Sequence, residues 1–117
     1  MKVERIAPIL TVDDVPRAID EHTRILGMHV VMDMGWIAFI ADEAGRQIGL
    51  MTTDASAPVN PDISVFVESV DDVEATHAAA LAAGVEIVHP LSDEQWGVRR
   101  FFYRDSSGRV INVGTHI

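Results

Sequence analysis

The sequence predicts an α+β fold: two tandem β-α-β-β-β modules whose strands form a cup-shaped mixed sheet. Three observations carry that prediction. Residues 104–113 (RDSSGRVINV) align with residues 41–50 (ADEAGRQIGL), matching Asp105 to Asp42, Gly108 to Gly45, Arg109 to Arg46 and Ile111 to Ile48. Self-similarity of this kind marks a unit written twice. Two helical patterns end on Gly27 and Gly84, and Val12/Val67, Val15/Val70, His22/His77 and Leu26/Leu81 repeat at one offset. Around each helix lie short alternating apolar runs separated by Asp, Ser and Gly clusters, the composition of strands and tight turns.

Taken in order, Ile6 to Val12 is an apolar, β-rich run that ends in Asp13 and Asp14, and Pro16 falls where a first helical turn accepts it. Val15, Ile19, His22 and Leu26 then share one helical face. Gly27 closes the helix, and strands follow over His29 to Asp33, Trp36 to Ile40 and Arg46 to Thr52. Asp54 to Pro61, with two prolines, Ser and Asn, reads as a linker. The second half repeats the order: strand Ile63 to Val67, helix Asp71 to Ala83 closed by Gly84, then strands Val85 to His89, Val98 to Arg104 and Arg109 to Gly114. The chain 1–117 therefore reads as a single domain with module 1 at about 1–53, a linker at 54–61 and module 2 at about 62–117.

Composition narrows the function. A chain of 117 residues can bury roughly two-thirds of its unfolded surface, enough for a true core. Cysteine is absent, which removes disulfides and thiolate chemistry. Met1 to Leu10 shows no basic segment followed by an apolar run of signal-peptide length, and no stretch approaches the ~18 apolar residues of a membrane span, so a cytoplasmic protein is expected. Nine basic against eighteen acidic side chains give a formal charge of −9, which repels phosphate backbones and anionic lipid. Nucleic acid and membrane are not expected partners. An acidic field concentrates cationic ligands, although it also serves solubility alone.

A four-stranded sheet with one helix hides one face, so two modules have to pair. Alternation sends Leu10, Val12, Ile48, Leu50, Ile63, Val65, Val67, Ile111 and Val113 to the helix side. It sends Ala7, Ile9, Thr11, Gln47, Gly49, Met51, Asp62, Ser64, Phe66, Val110 and Asn112 to the other. That second face is concave if the sheets curl, and a ligand is expected there.

The half-motifs LTVDDVPRAIDEHTRILG and YRDSSGRVINV, over nearly the whole chain, resemble the vicinal oxygen chelate superfamily, the glyoxalase, bleomycin-resistance protein and extradiol dioxygenase group. WGVRRFFYRDSSGRVIN is similar to the last hairpin of bleomycin-resistance proteins, with DSSG in place of a DPDG-type turn. The resemblance implies a homodimer. It also implies that the metal enzymes' four ligand positions fall here on Ala7, Gly49, Asp62 and Asn112, a pairing that the internal repeat reproduces. Ala and Gly have no donor atom, and one Asp with one Asn falls short of a catalytic divalent site. No metal, cofactor or catalytic residue is therefore expected. His22 and His77 fall on core-facing helix stripes, and no Ser/His/Asp set or phosphate-cradling loop is present.

The expected ligand site is a cavity lined by Met51, Asp62, Ser64, Phe66, Arg100, Phe102 and Asn112, with Trp96 at its mouth and Trp36 on the opposing hairpin. Flat aromatic and thioether surface with a few polar groups suits a planar, aromatic or cationic organic molecule. Trp96 beside Gly97 fits a ligand wall or a wedge that turns the chain. Arg99 and Arg100 fit a solvated pair, a carboxylate clamp or partners for the abundant acids. Phe101 and Tyr103 are expected to pack under the helix. The leading reading is a non-catalytic small-molecule binder of the antibiotic-sequestering type that the resemblance implies. The alternative is a metal-dependent lyase, isomerase or dioxygenase with a displaced site.

Overall fold

The computed structural model describes residues 1–117. Contacts group residues 7–60 into one compact unit, and residues 1–6 with 61–117 into another. Along the chain run β1 (Val3–Thr11), α1 (Val15–Leu26), β2 (His29–Asp33), β3 (Ile37–Ala41), β4 (Gln47–Met51), β5 (Ile63–Val67), α2 (Val70–Ala83), β6 (Glu86–Glu94), β7 (Val98–Arg104) and β8 (Val110–His116). The β-α-β-β-β order thus occurs twice, in a mixed α+β fold.

In the 7–60 unit the strand order is β2-β3-β4-β1. The first two pairings are antiparallel, and β4 runs parallel to β1 with Ile9 opposite Gly49. The other unit has the order β6-β7-β8-β5, again antiparallel except for a parallel β8–β5 pair that sets Ser64 opposite Asn112.

Both helices begin and end for local reasons. Asp14 caps α1 by accepting from the Arg17 backbone N–H at 3.0 Å, with Pro16 in the first turn. Ser69 caps α2 through the Asp72 N–H at 3.1 Å. Such caps contribute about 1 kcal/mol each. Asp71 and Asp72 place negative charge on the first turn of α2, where the peptide dipoles favour it. Gly27 and Gly84 stop the helices at φ 68° and 73°, in the left-handed region.

Each helix covers one face of its own sheet. Under α1, Ala18, Ile40 and Leu50 are buried, flanked by Val12, Ile19, Met28 and Ile48. Under α2, Val67, Val73, Ala80, Phe101 and Val113 form the core, with Val65, Tyr103 and Ile111 packed against it. His77 meets the Phe101 ring edge-on at 4.9 Å, as a core-facing imidazole should. Each fully buried large side chain here stabilises the fold by roughly 1.5–3 kcal/mol.

The two aligned turns are built alike. The Asp42 carboxylate accepts from the N–H groups of Ala44 (3.0 Å) and Arg46 (2.9 Å), and Asp105 accepts from Ser107 (2.9 Å) and Arg109 (2.9 Å). Gly45 and Gly108 follow at φ 83° and 87°, a conformation that only glycine adopts without strain. The Asp/Gly/Arg repeat in the sequence is therefore one hydrogen-bonded turn used twice.

Several boundaries differ from the sequence expectation. β1 begins at Val3 rather than Ile6, and α2 begins at Val70 because Ser69 supplies its cap. β6 runs on from His89 through Pro90 to Glu94. Pro90 suggested a stop, yet β6 is the end strand of its unit's order, with β7 as its hydrogen-bonded neighbour there. A missing N–H on an outer side costs no ladder bond. Leu26 and Leu81, expected in the core stripe, are exposed. They sit in the last helical turn, and periodicity reports which face a residue takes, not whether the sheet extends beneath it. The 54–61 segment is a tied loop: Asp54 is buried and accepts from Ser56, while Asn60 receives the Asp54 N–H and donates to Thr11 Oγ1 and the Thr52 carbonyl. No helix is long and apolar enough to cross a membrane.

The Arg46 backbone N–H, with the Arg46 guanidinium and the Ala44 N–H, holds the Asp42 carboxyl below the usual carboxylate range. Its folded pKa lies below the unfolded one. The stabilisation is therefore complete above the unfolded value and is lost as pH falls through the folded one. Urea unfolding of wild type and Asp42→Asn should show a wild-type advantage near neutral pH that disappears between about pH 5 and about pH 2. A constant difference over that range would refute the assignment.

Candidate functional site

In the 7–60 unit, the sheet face turned away from α1 is closed by its own side chains. Ala7, Ile9, Phe39 and Met51 are buried together, with Met32, Trp36 and Ile37 packed on them. Met51 is core, and Trp36 lies partly buried against that core while its carbonyl accepts from the Thr52 N–H at 3.0 Å. Gly49 stands in the row between Ile9 and Phe39. A Cβ added there would meet Ile9 Cδ1 at 2.5 Å and Phe39 Cε1 at 3.0 Å. The space that a ligating side chain at 49 would need is filled.

The helix-distal face of the other unit is different, because it is polar. Asp62 is exposed, and its Oδ2 accepts from the Val110 N–H at 2.8 Å. Its own N–H donates to the Val110 carbonyl at 2.8 Å. Asp62 is thus engaged in fixing where β8 starts beside β5. One row further, Asn112 Nδ2 donates to Ser64 Oγ at 2.6 Å, with both residues 6% exposed. Asn112 Oδ1 is buried and has no partner. An orphaned buried acceptor costs about 1–3 kcal/mol, and most folded chains avoid one.

Beyond Asn112 the same row continues to Phe102 and His89. Glu94 Oε1 lies 3.1 Å from Arg100 Nε and 2.9 Å from His89 Nε2, with all three side chains nearly buried. The Arg100 guanidinium lies 5.0 Å from the Trp96 ring centroid and 4.9 Å from that of Phe102, and His89 meets Phe102 edge-on at 5.1 Å. Removing one member of such a buried charged set costs about 3–5 kcal/mol. Phe66, buried, carries Arg5 over its ring at 4.4 Å and His116 at 5.0 Å. Burial lowers the Arg5 pKa, partly offset by Glu4.

The strand alternation resolves the arginine pair. Arg99 belongs to Asp93 (Nε–Oδ1 2.6 Å, Nη2–Oδ2 3.0 Å) and to Glu74 (2.9 Å), whereas its neighbour Arg100 belongs to Glu94. Hydrogen bonding from Arg99 holds the Asp93 carboxyl below its usual range. Both arginines serve the abundant acids.

Ser64, Phe66, Arg100, Phe102 and Asn112 thus lie on one face, with Trp96 beside Arg100 and Asp62 at its start, whereas Trp36 and Met51 belong to the apolar face of the 7–60 unit. Sequence reasoning missed His89, Glu94, His116 and Arg5. The first two lie on the strand read as ending at His89; a shift between acidic and aromatic residues through PLSDEQW was the available signal. No three His, Asp or Glu side chains come together in a group able to hold a metal ion. With Gly49 filled and Asp62 bound to backbone, the residues present do not fit a chelate at positions 7, 49, 62 and 112. The arrangement can instead orient a polar group at Asn112 beside aromatic surface.

The family model of the Glyoxalase/Bleomycin resistance protein/Dioxygenase superfamily matches residues 2–113. No protein of curated function matches the sequence. Among solved structures, the chain is similar to one titled NAD-dependent benzaldehyde dehydrogenase from Legionella pneumophila (15% identity, 96% of this chain and 99% of that one, TM-score 0.80). It is similar to a glyoxalase/bleomycin resistance protein/dioxygenase superfamily member from Vibrio splendidus 12B01 (13%, 97% and 99%, 0.70). A third is methylmalonyl-CoA epimerase from Mycobacterium tuberculosis (19%, 99% and 88%, 0.65). At these identities the likeness concerns the fold alone.

Gly49→Ala should destabilise the protein by about 1–3 kcal/mol in chemical denaturation, through overpacking. Adding Ile9→Val, which deletes the Cδ1 that the new Cβ meets, should recover part of that loss. Simple additivity of the two losses would show that the face is not packed around Gly49.

Proposed function

The chain belongs to the Glyoxalase/Bleomycin resistance protein/Dioxygenase superfamily, and from that premise we propose that it binds a small organic molecule on the helix-distal face of residues 61–117 without using the family's chelate. The observation that carries this reading is Asn112, buried, donating to Ser64 and left with an orphaned carbonyl oxygen. Stability alone favours apolar residues in such a row, as in the 7–60 unit, where Ile9, Phe39 and Met51 occupy the corresponding face. A polar pair kept at a cost is supported by use: the Asn112 oxygen accepts from an N–H or O–H of a ligand. Phe102, Trp96 and the Arg100 guanidinium between them supply flat surface for a ring system. The charge of −9 favours a cationic ligand, which supports sequestration of a planar or cationic antibiotic or a similar natural product.

The displaced-metal enzyme gains no support from the donor set, since no three candidate ligands converge. Metal analysis of protein purified without chelator separates the two readings: stoichiometric zinc, nickel, iron or manganese would replace binding with metal chemistry.

Calorimetry with bleomycin- and mitomycin-type compounds should give a heat of binding at about micromolar affinity. The double variant Asn112→Leu with Ser64→Ala should be as stable as wild type or more so, because both partners become apolar together, and should abolish that heat. Absence of heat with every compound would remove drug sequestration. A double variant that loses stability would make the pair structural.

A further inference from the structure

Five of the thirteen exposed large apolar side chains fall within ten residues: Ile25 and Leu26 at the end of α1, Val30 and Val31 on β2, and Met34 just after it. Such a concentration is not scattered surface residue; it is a patch. It lies along β2, the end strand of its unit's order, which is hydrogen-bonded there to β3 alone. The end strand of the other unit, β6, carries the devices that keep edges from pairing: Pro90, which has no N–H, two register shifts, and Glu86 and Asp93. β2 has no proline, and its one register shift leaves Val31 without an opposite residue on β3.

The sequence of β2, His29-Val-Val-Met-Asp33, has a second property. Laid antiparallel against a copy of itself about Val31, it sets Val31 opposite Val31, Val30 opposite Met32, and His29 opposite Asp33 twice over. Apolar residues meet in the centre, and opposite charges close both ends whenever the imidazole is protonated; with the imidazole neutral, the pair is a hydrogen bond. An arbitrary peptide has no reason to match this order. A second copy of the chain does, because a two-fold contact asks a patch to complement itself.

We propose that β2 is a self-pairing edge through which two copies of this chain join antiparallel, centred on Val31, with His29 of one copy against Asp33 of the other and the Ile25/Leu26 helix end covering the join. The contact is independent of the ligand-binding reading, since it uses no residue of that face.

The test uses the full chain in sedimentation and light-scattering measurements over about 1–100 μM. Wild type should be dimeric at the upper end. Val31→Lys, at an exposed position and with circular dichroism confirming the fold, should be monomeric throughout. His29→Asp and Asp33→His should each weaken the dimer on the order of tenfold by setting like groups against each other, and the combined swap H29D/D33H should restore it. A monomeric wild type at the highest concentration, a Val31→Lys protein that remains dimeric, or a double swap no tighter than either single change would overturn the proposal.

Discussion

A four-stranded sheet carrying one helix has one face covered and one face left over, and the disposal of that second face governs each half of this molecule. In residues 7–60 it is disposed of by packing: Ile9, Phe39 and Met51 close over a glycine that has no side chain to offer. In residues 61–117 the equivalent rows are occupied by Ser64, Asn112, Arg100, His89 and Glu94, which are buried and polar. The same backbone plan therefore supports one face built for cohesion and one built at an energetic cost. Duplication made the plan; divergence of a few inward residues made the difference.

The regular parts of the fold were legible because local chemistry decides them. Asp42 with Gly45, and Asp105 with Gly108, specify a turn whose hydrogen bonds involve only neighbouring residues, so the repeat could be read directly. Glycine after each helix needed no tertiary knowledge either. Alternation placed Phe101 and Tyr103 under α2 and Ser64 with Asn112 opposite, because a strand's two faces follow from a period of two. What alternation could not reveal was depth. Leu26 and Leu81 lie on the expected helical stripe yet face solvent, since a side chain's neighbours at the end of a helix depend on how far the sheet reaches.

The site was legible in its positions and illegible in its partners. Ala7 and Gly49 announced the lack of donor atoms, but only coordinates reveal that Ile9 and Phe39 occupy the volume. Asp62 looked like an available carboxylate, and it is engaged with the Val110 N–H, a partner 48 residues away in sequence. Glu94 and His89 were missed because a proline between them was read as the end of a strand. In a strand at the end of a sheet that inference fails, since the missing N–H would have faced outward.

Filling the void beside Gly49 has a historical meaning. Once Ile9 and Phe39 had grown into the row, a ligating residue could return at 49 only together with smaller side chains at 9 and 39, and each of those changes alone opens a hole in a packed core. No single step leads back. Descent through such a protein is ratcheted: the ancestral chemistry is blocked by steric debris, and new roles have to be found on the half of the chain where polar residues still occupy the sheet's inner rows.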